Sequence, residues 1–408
     1  MPRRPFKPLP LPERMVDTDP ALAECVAHLA AHHLIGFDTE FVGEDTFRPE
    51  LCLIQVSTAE RLYLIDPYAV SSLAPFWALL HDSARTVIAH AGREEVRMCR
   101  FQSGAPPANL FDTQIAAGLI GLTYPISYAG LVQIVLGTRL NKGDTLSDWR
   151  RRPLSASQVR YAYDDVRYLI PAYERLSAKL ERYSRTGWAT EEFAGFVKWT
   201  SGEDAAVERW RKVKGSGALN RRELAVLRSV FAWRLGVAER QDRPARSVMR
   251  DDVLLEVCKR GAKTPDELSS LRGIPPREFE NVQRAVREAN RIPQAELPEK
   301  LESEQDPPQV AVLGSLLTVV LNDVCDRLKL AQSLVCSQQD LKDLVRSRQP
   351  GGRMPADSPF LEGWRKTDVL PHLERVLEGG LAVRVHNPKT TAPLEYIEIV
   401  DEVEPGTQ

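Results

Sequence analysis

The spacing of apolar and polar positions divides the chain in two. In the first half a helix signal comes early: Asp19 as N-cap, Pro20 at the first helical position, then ALAECVAHLAAHH. Strand-like runs follow at LIGFDTEF (34–41), LCLIQVST (51–58), RLYLIDP (61–67) and TVIAHA (86–91), bounded by turn-rich pieces such as VGEDTFRPE. The first three lie close enough for an antiparallel meander. Helix-like runs come next at 93–101, 113–121 and 127–136, with a short strand, NLFD, at 109–112. A long helix over 155–183, capped by Ser155 or Ser157, is expected to bend or break at Pro171. Strands followed by alternating helices predict a mixed sheet covered by helices.

Past about residue 200 the strand signals stop. Residues 219–291 read as helices, in NRRELAVLRSVFAWRLGVAERQ, DDVLLEVCKRG, TPDELSSLR and PPREFENVQRAVREAN. An acidic linker at 294–308, QAELPEKLESEQDPP, leads to a second helical block at 309–386. Residues 1–16 read as a flexible leader and 387–408 as an acidic tail whose end is expected to be disordered.

A length of 408 residues is consistent with two to three domains. The 43% hydrophobic and 27% charged residues exclude collagen-like, mucin-like and wholly disordered chains. Lysine plus arginine number 54 against 56 acidic residues, so the net charge of -2 rules out a uniformly basic nucleic-acid binder. It leaves room for a local basic face. No run of 18 apolar residues predicts a membrane span, and the basic, proline-rich start has no signal-peptide core. The six cysteines avoid CxxC pairing and zinc spacing with histidine, and read as core residues of a reducing, cytoplasmic compartment.

The chemistry begins at Phe37-Asp38-Thr39-Glu40-Phe41. On a strand, Asp38 and Glu40 project to one face, about 7 Å apart. Two carboxylates beside a buried run need a cation or strong donors, and hard-oxygen ligands suit magnesium or manganese; a solvated edge strand is the bland alternative. Tyr161 and Asp165 sit at i and i+4, on one helix face. That spacing also fits an ordinary amphipathic helix. Asp164 lies about 100° round from Asp165.

Order and spacing of these pieces resemble ribonuclease D and the wider DEDDy group of 3'→5' exonucleases. FDTEF (37–41) is similar to the first motif of that group, and HAGREEVRMC (90–99) with FDTQIAAGLIG (111–121) to the second and the segment after it. KGDTLSDW (142–149) and YAYDDVRYL (161–169) are similar to the later signature and third motif. The resemblance implies a ribonuclease H-like fold, a mixed sheet with helices on both faces. It implies Asp38, Glu40 and Asp165 as metal ligands and Tyr161 as the residue that positions the attacking water. The second-motif ligand in the group is aspartate. Here Glu95 stands in its place, one methylene longer, with Glu94 expected to face away. Two divalent cations, Mg2+ or Mn2+, are the implied cofactors. The implied reaction is release of 5'-mononucleotides from an RNA 3' end, with transfer RNA precursors the favoured substrate and no obligate protein partner.

Residues 219–291 resemble an HRDC domain, and 309–386 a second such module, giving two small all-α units behind the catalytic one. Within 219–291 there are 16 lysines and arginines against 11 acids, a net of +5. Lys142, Arg150, Arg221, Arg222, Arg243 and Arg246 are candidate phosphate contacts, as are Arg151 and Arg152. A solvated basic surface is the alternative for each. Trp149 is expected in the core, His90 as a hydrogen-bonded strand-end residue, and Asp112 outside the ligand set. Two competing functions remain: an RNA-binding protein of the same fold whose second motif has decayed at Glu95, and a DNA exonuclease working beside a helicase.

Overall fold

The computed structural model describes residues 10–140, 147–201, 209–261, 267–268, 271, 273–300, 306–390 and 393–399. The apolar runs of the first half form six strands: β1 (Glu13–Val16), β2 (Leu34–Val42), β3 (Glu50–Ser57), β4 (Leu62–Ile65), β5 (Thr86–Ala89) and β6 (Leu110–Asp112). They make one mixed sheet in the order β1-β4-β3-β2-β5-β6. The expected meander is β2-β3-β4, antiparallel throughout. β1, β5 and β6 add parallel pairings at the flanks.

Among the described residues, eight helices cover the sheet: α1 (Asp19–Ala30), α2 (Ala74–Leu80), α3 (Arg93–Ser103), α4 (Thr113–Gly118), α5 (Tyr128–Leu136), α6 (Ala156–Arg167), α7 (Leu169–Arg182) and α8 (Thr186–Ser201). α1 to α3 bury Leu22, Cys25, Leu29, Phe76, Trp77, Val96 and Cys99 against Ile35 and Phe37 on one face. Helices α4 to α8 build the core on the other. β2 alternates accordingly, because successive side chains point to opposite faces. Gly36 lies where α7 crosses closest; a Cβ there would run into Ser57 Oγ and sit 3.2 Å from Leu169 Cβ.

Two local expectations are corrected. Thr18, not Asp19, caps α1, accepting from the Ala21 N–H at 3.4 Å. Asp19 becomes the first helical residue and accepts instead from the Ser71 N–H at 2.8 Å. The leader contributes a strand: β1 pairs with β4 and buries Val16, while Glu13 binds Arg167 at 2.6 Å. Residues 1–9 of the expected leader lie outside the described residues. The helix predicted over 155–183 breaks at Tyr168, so Pro171 falls in the first turn of α7, where its missing N–H costs nothing.

The second half carries α9 (Arg221–Arg240), α10 (Asp251–Arg260), α11 (Phe279–Arg291), α12 (Pro308–Leu328), α13 (Gln338–Ser347) and α14 (Leu370–Leu377). Most of the run expected as a helix at 264–272 lies outside the described residues. Around α9 to α11 there is a core of its own, closed by Trp210 before it and Leu297 after it. Leu297 thus takes the start of the expected linker into that core. At its other end Asp306 pairs with Lys342 at 3.1 Å and with Arg346. The expectation that strands stop near residue 200 is also corrected: β7 (Leu381–Val385) and β8 (Leu394–Glu398) form an antiparallel hairpin. Their alternation is short and mixed with charge, so it does not stand out. In the expected acidic tail, Glu395 pairs with Arg384 at 2.7 Å and Glu398 with Arg375 at 2.9 Å; residues 400–408 lie outside the described residues.

α12 is long and apolar enough to cross a membrane by length and composition. Here Val310, Leu317, Val320, Leu321 and Val324 join the core that α4 to α8 build on the sheet. That core runs without a break from the six-stranded sheet into α12 to α14. Arg185, buried, bolts the seam: its guanidinium donates to the carbonyls of Leu119, Leu328 and Lys329. Glu192 on α8 accepts from Arg365 and from the Trp364 indole at 2.8 Å, and Trp364 stacks on Trp188. Replacing Arg185 with methionine keeps the apolar bulk but strands three carbonyls. A loss of about 3–5 kcal/mol is expected, read as a lower urea midpoint; an unchanged midpoint would show that the seam does not depend on Arg185.

Candidate functional site

β2 pairs with β5 only from Leu34 to Gly36, so beyond Gly36 its flank is free. Asp38 and Glu40 lie on that free stretch, opposite Gln55 and Leu53 of β3. A β-bulge between Glu40 and Phe41 turns the end of the strand. α3 brings Glu95 to this flank, and α6 brings Asp165 and Tyr161.

The structure brings together all five residues expected at the site. Asp38 feels the charges of Glu95, Asp165 and Glu40, and Glu40 feels that of Glu95. Tyr161 lies one turn from Asp165 on α6 and acts on its carboxyl. Glu95 is 6% exposed and accepts from the Thr39 hydroxyl at 3.0 Å. Its longer side chain therefore reaches the cluster. Glu94 faces away and pairs with Arg97 at 3.1 Å, as expected. Asp164 also turns out of the site, to Arg167 at 2.8 Å.

Burial dominates the electrostatics. It pushes Glu40 and Glu95 up to about 7 and Asp165 up to about 8, each helped by a neighbouring carboxylate. Asp38 is raised well above the ordinary aspartate range by burial, then by Glu95, Asp165 and Glu40. Tyr161 is raised by burial and by Asp165, so its hydroxyl keeps its proton at neutral pH. Such a group needs protons or cations to hold its charge. Oδ2 of Asp165 is buried with no hydrogen-bond partner, an acceptor left open toward the site. All the acceptors are carboxylate oxygens, which fits a hard divalent cation.

The roles of two residues were not anticipated. Asp112 caps α4 through the N–H groups of Gln114 and Ile115. Its other oxygen accepts from the Gly92 N–H at 2.7 Å, which sets the start of α3 and so the approach of Glu95. The signal was the cap sequence Asp112-Thr113 before an apolar run. Tyr128 lies beside the site, its hydroxyl raised by burial and by Asp165; nothing in its spacing distinguishes it from core. His90 is held by Thr113 Oγ1 and the Ile126 carbonyl, and Trp149 is buried near Tyr161, as both were expected to be.

The candidate phosphate contacts fare differently. Lys142 lies outside the described residues. Arg150 bridges Asp148 at 3.2 Å and Asp45 at 3.5 Å on the surface, and Arg151 is exposed beside Asp148. Arg152 is committed to Asp66 and to the carbonyls of Cys52 and Trp149. Arg221 and Arg222 are corrected to structural roles. They donate to the carbonyls of Leu297 and Pro298, and of Ala289, Asn290 and Ile292, which close the α9–α11 unit. Arg243 is half-buried, and Arg246 remains exposed with one long pairing to Asp251.

The loop between β2 and β3 joins this site to the α9–α11 unit. Phe47 packs beside Val237, Ala238 and Val248, its N–H donates to Asp242 at 3.2 Å, and Arg48 pairs with Glu239. A cleft of about 400 Å³ opens there, lined by Phe47, Arg48, Glu94, Arg97, Arg209 and Pro244 among others.

A family model described as 3'-5' exonuclease matches residues 13–181, and one described as HRDC domain matches residues 223–285. Ribonuclease D of Acidiphilium cryptum is 34% identical over 368 residues, spanning 88% of this chain and 92% of its own. Ribonuclease D of Pseudomonas paraeruginosa is also 34% identical, spanning 88% and 96%. Among solved structures, Escherichia coli RNase D, described as an exoribonuclease involved in structured RNA processing, superposes with a TM-score of 0.78. It is 28% identical and covers 90% of this chain and 99% of its own.

Proposed function

The chain belongs to the ribonuclease D family and is a 3'→5' exoribonuclease, and we propose that it trims structured RNA at the carboxylates of β2, α3 and α6. The observation that carries this reading is the gathering of Asp38, Glu40, Glu95 and Asp165 on one free strand flank beside Tyr161. Enzymes of this family depend on divalent metal. We assign Asp38, Glu40, Glu95 and Asp165 to hold two cations, Mg2+ or Mn2+. These would supply hydroxide at neutral pH and offset charge on the leaving 3' oxygen.

The chain's own residues do the rest. Tyr161 stays protonated, so it orients the nucleophile by hydrogen bond and does not act as a free base. Its ring packs beside that of the buried Trp149, with centroids 6.1 Å apart. Asp112, through Gly92, keeps α3 in register so that Glu95 closes the set. Thr39 fixes which oxygen of Glu95 turns inward. No serine, cysteine or histidine nucleophile is needed, so the product is a 5'-mononucleotide without a covalent intermediate. We further infer a cytoplasmic enzyme acting on transfer RNA precursors, with the α9–α11 unit and α12 to α14 gripping the structured part. Arg243 and Arg246 are the remaining phosphate candidates there.

The test is cleavage of a 5'-labelled RNA hairpin with a 3' tail, in manganese, magnesium or chelator. A metal-dependent ladder shortening from the 3' end is expected. A tail of deoxynucleotides should be trimmed more slowly; equal trimming would favour the DNA reading. Tight binding without shortening in either metal would sink the proposal and leave a decayed nuclease. Glu95→Asp is expected to retain activity within about tenfold, since one methylene can be absorbed by Thr39 and the start of α3. A larger loss in a folded variant would mean that the site has adapted to glutamate.

A further inference from the structure

At the C-terminal end of α1, at the other end of β3 from the carboxylates, two imidazoles come together, His28 from the last turn and His32 from just past the Ala31 cap. His28 and His32 occupy positions i and i+4, with ring centroids 4.4 Å apart. The turn between β3 and β4 carries Glu60 up to them. One ligand atom from each of the three lies within 4.8 Å of the others. The turn begins just after Ser57, which pairs with Gly36, whereas Asp38 pairs with Gln55. Thr58 is thus about 10 Å along β3 from the residue opposite Asp38.

The surrounding hydrogen bonds prepare both imidazoles as ligands. His32 Nδ1 lies 2.8 Å from the His28 carbonyl oxygen. A carbonyl only accepts, so Nδ1 carries the proton and Nε2 the lone pair. Nε2 is the atom that faces Glu60, 3.7 Å from its carboxylate. A backbone carbonyl on the far nitrogen is the usual partner that orients a metal-binding histidine. The Thr58 hydroxyl accepts from the N–H groups of Glu60 and Arg61, at 3.2 and 3.1 Å. Its own hydrogen is left for His28 Nε2, 3.1 Å away. Both Nε2 lone pairs therefore point to the turn that holds Glu60. Tyr63, with its ring centroid 5.6 Å from that of His28, covers the inner side.

We propose that His28, His32 and Glu60 form a second cation site, one that binds a single Zn2+ or a similar imidazole-preferring ion. Two imidazole nitrogens, one carboxylate oxygen and a position open to water make a common zinc ligand set. Magnesium and manganese prefer oxygen, so the two sites on this chain sort cations by chemistry. The exposed Glu60 side chain swings in by about 1 Å to reach zinc distances of about 2 Å, and His28 exchanges the Thr58 hydroxyl for the ion. Binding staples α1 to the β3–β4 turn.

The experiment is equilibrium dialysis of the metal-stripped full chain against micromolar zinc chloride in millimolar magnesium chloride, with cobalt absorption as a second readout. The wild type should retain one zinc more per chain than the His28→Gln/His32→Gln double variant. Cobalt should give the intense visible bands of a four- or five-coordinate ion in the wild type alone. Glu60→Gln, on an exposed turn where folding is not at stake, should weaken zinc by roughly tenfold or more. Exonuclease activity in magnesium should be the same in all of them. Equal zinc content in the wild type and the double variant would overturn the site, whether zinc went to the carboxylates or nowhere. Unchanged zinc affinity in Glu60→Gln would overturn the three-ligand assignment.

Discussion

Asp38→Ala is expected to cut hydrolysis by about 10³-fold or more, while RNA affinity in chelator stays within a few-fold. The several kcal/mol that divalent ions supply to phosphodiester hydrolysis correspond to about that factor. Asp38 is the residue on which the other three carboxylates converge: Glu95, Asp165 and Glu40 all act on it. Removing it takes a ligand from the centre of the set and leaves Tyr161 with nothing to aim. Binding should survive, because the helical units proposed to grip the RNA lie elsewhere. The measurement is a single-turnover rate beside a filter-binding curve. Activity equal to wild type in the variant would sink the site assignment, and a parallel loss of binding would show that Asp38 acts by holding the fold.

The second large effect is on stability without metal. Glu40 and Glu95, pushed up to about 7, and Asp165, pushed up to about 8, keep protons in the folded chain that the unfolded chain releases near pH 4. Their contribution to stability is fully present below the unfolded values and is lost as pH rises through the folded ones. In chelator, therefore, Tm should fall between about pH 5 and pH 8, by roughly a few kcal/mol of unfolding free energy. Carboxylates held low by hydrogen bonds, such as Asp19 and Asp306, are ionised throughout and do not contribute to the slope. Manganese or magnesium at pH 8 should restore the loss, since a cation replaces the protons. Differential scanning calorimetry at several pH values, with and without metal, gives both curves. A flat or rising Tm in chelator would mean that the four groups are not packed together as described.

Short-range geometry wrote the two pairs of this site, and only the resemblance to the DEDDy group joined them into one. Asp38 and Glu40 share a strand face by period two, and Tyr161 and Asp165 share a helix face at i, i+4, whatever the rest of the chain does. Glu95 could be named by its place in the second motif, but its reach depends on where α3 begins. That start is set by Asp112 at the end of β6, a tertiary contact with no sequence spacing of its own. The same limit hid the true roles of Arg221 and Arg222: a basic residue reads alike whether it meets phosphate or the carbonyls of a neighbouring loop. β1 was obscured by the prolines before it, and the β7–β8 hairpin by its charged, brief alternation. His28 and His32 were in plain sight at i, i+4. Their partner Glu60 lies 28 residues on, and only the sheet brings it back.

The unbroken core between the sheet and α12 to α14 bears on how such a chain can be cut and recombined. The α9–α11 unit has an apolar interior of its own and meets the β2–β3 loop only through contacts such as those of Phe47 and Arg48, so it is the part expected to tolerate exchange. The last helices are not expected to. A stop codon placed before Pro308 would leave Leu119, Ile120 and Trp188 facing water and Arg185 without two of its carbonyls. Such a truncated chain would be a substrate for proteases before it was an enzyme. The middle of this protein is the more separable part, while its two ends share one core.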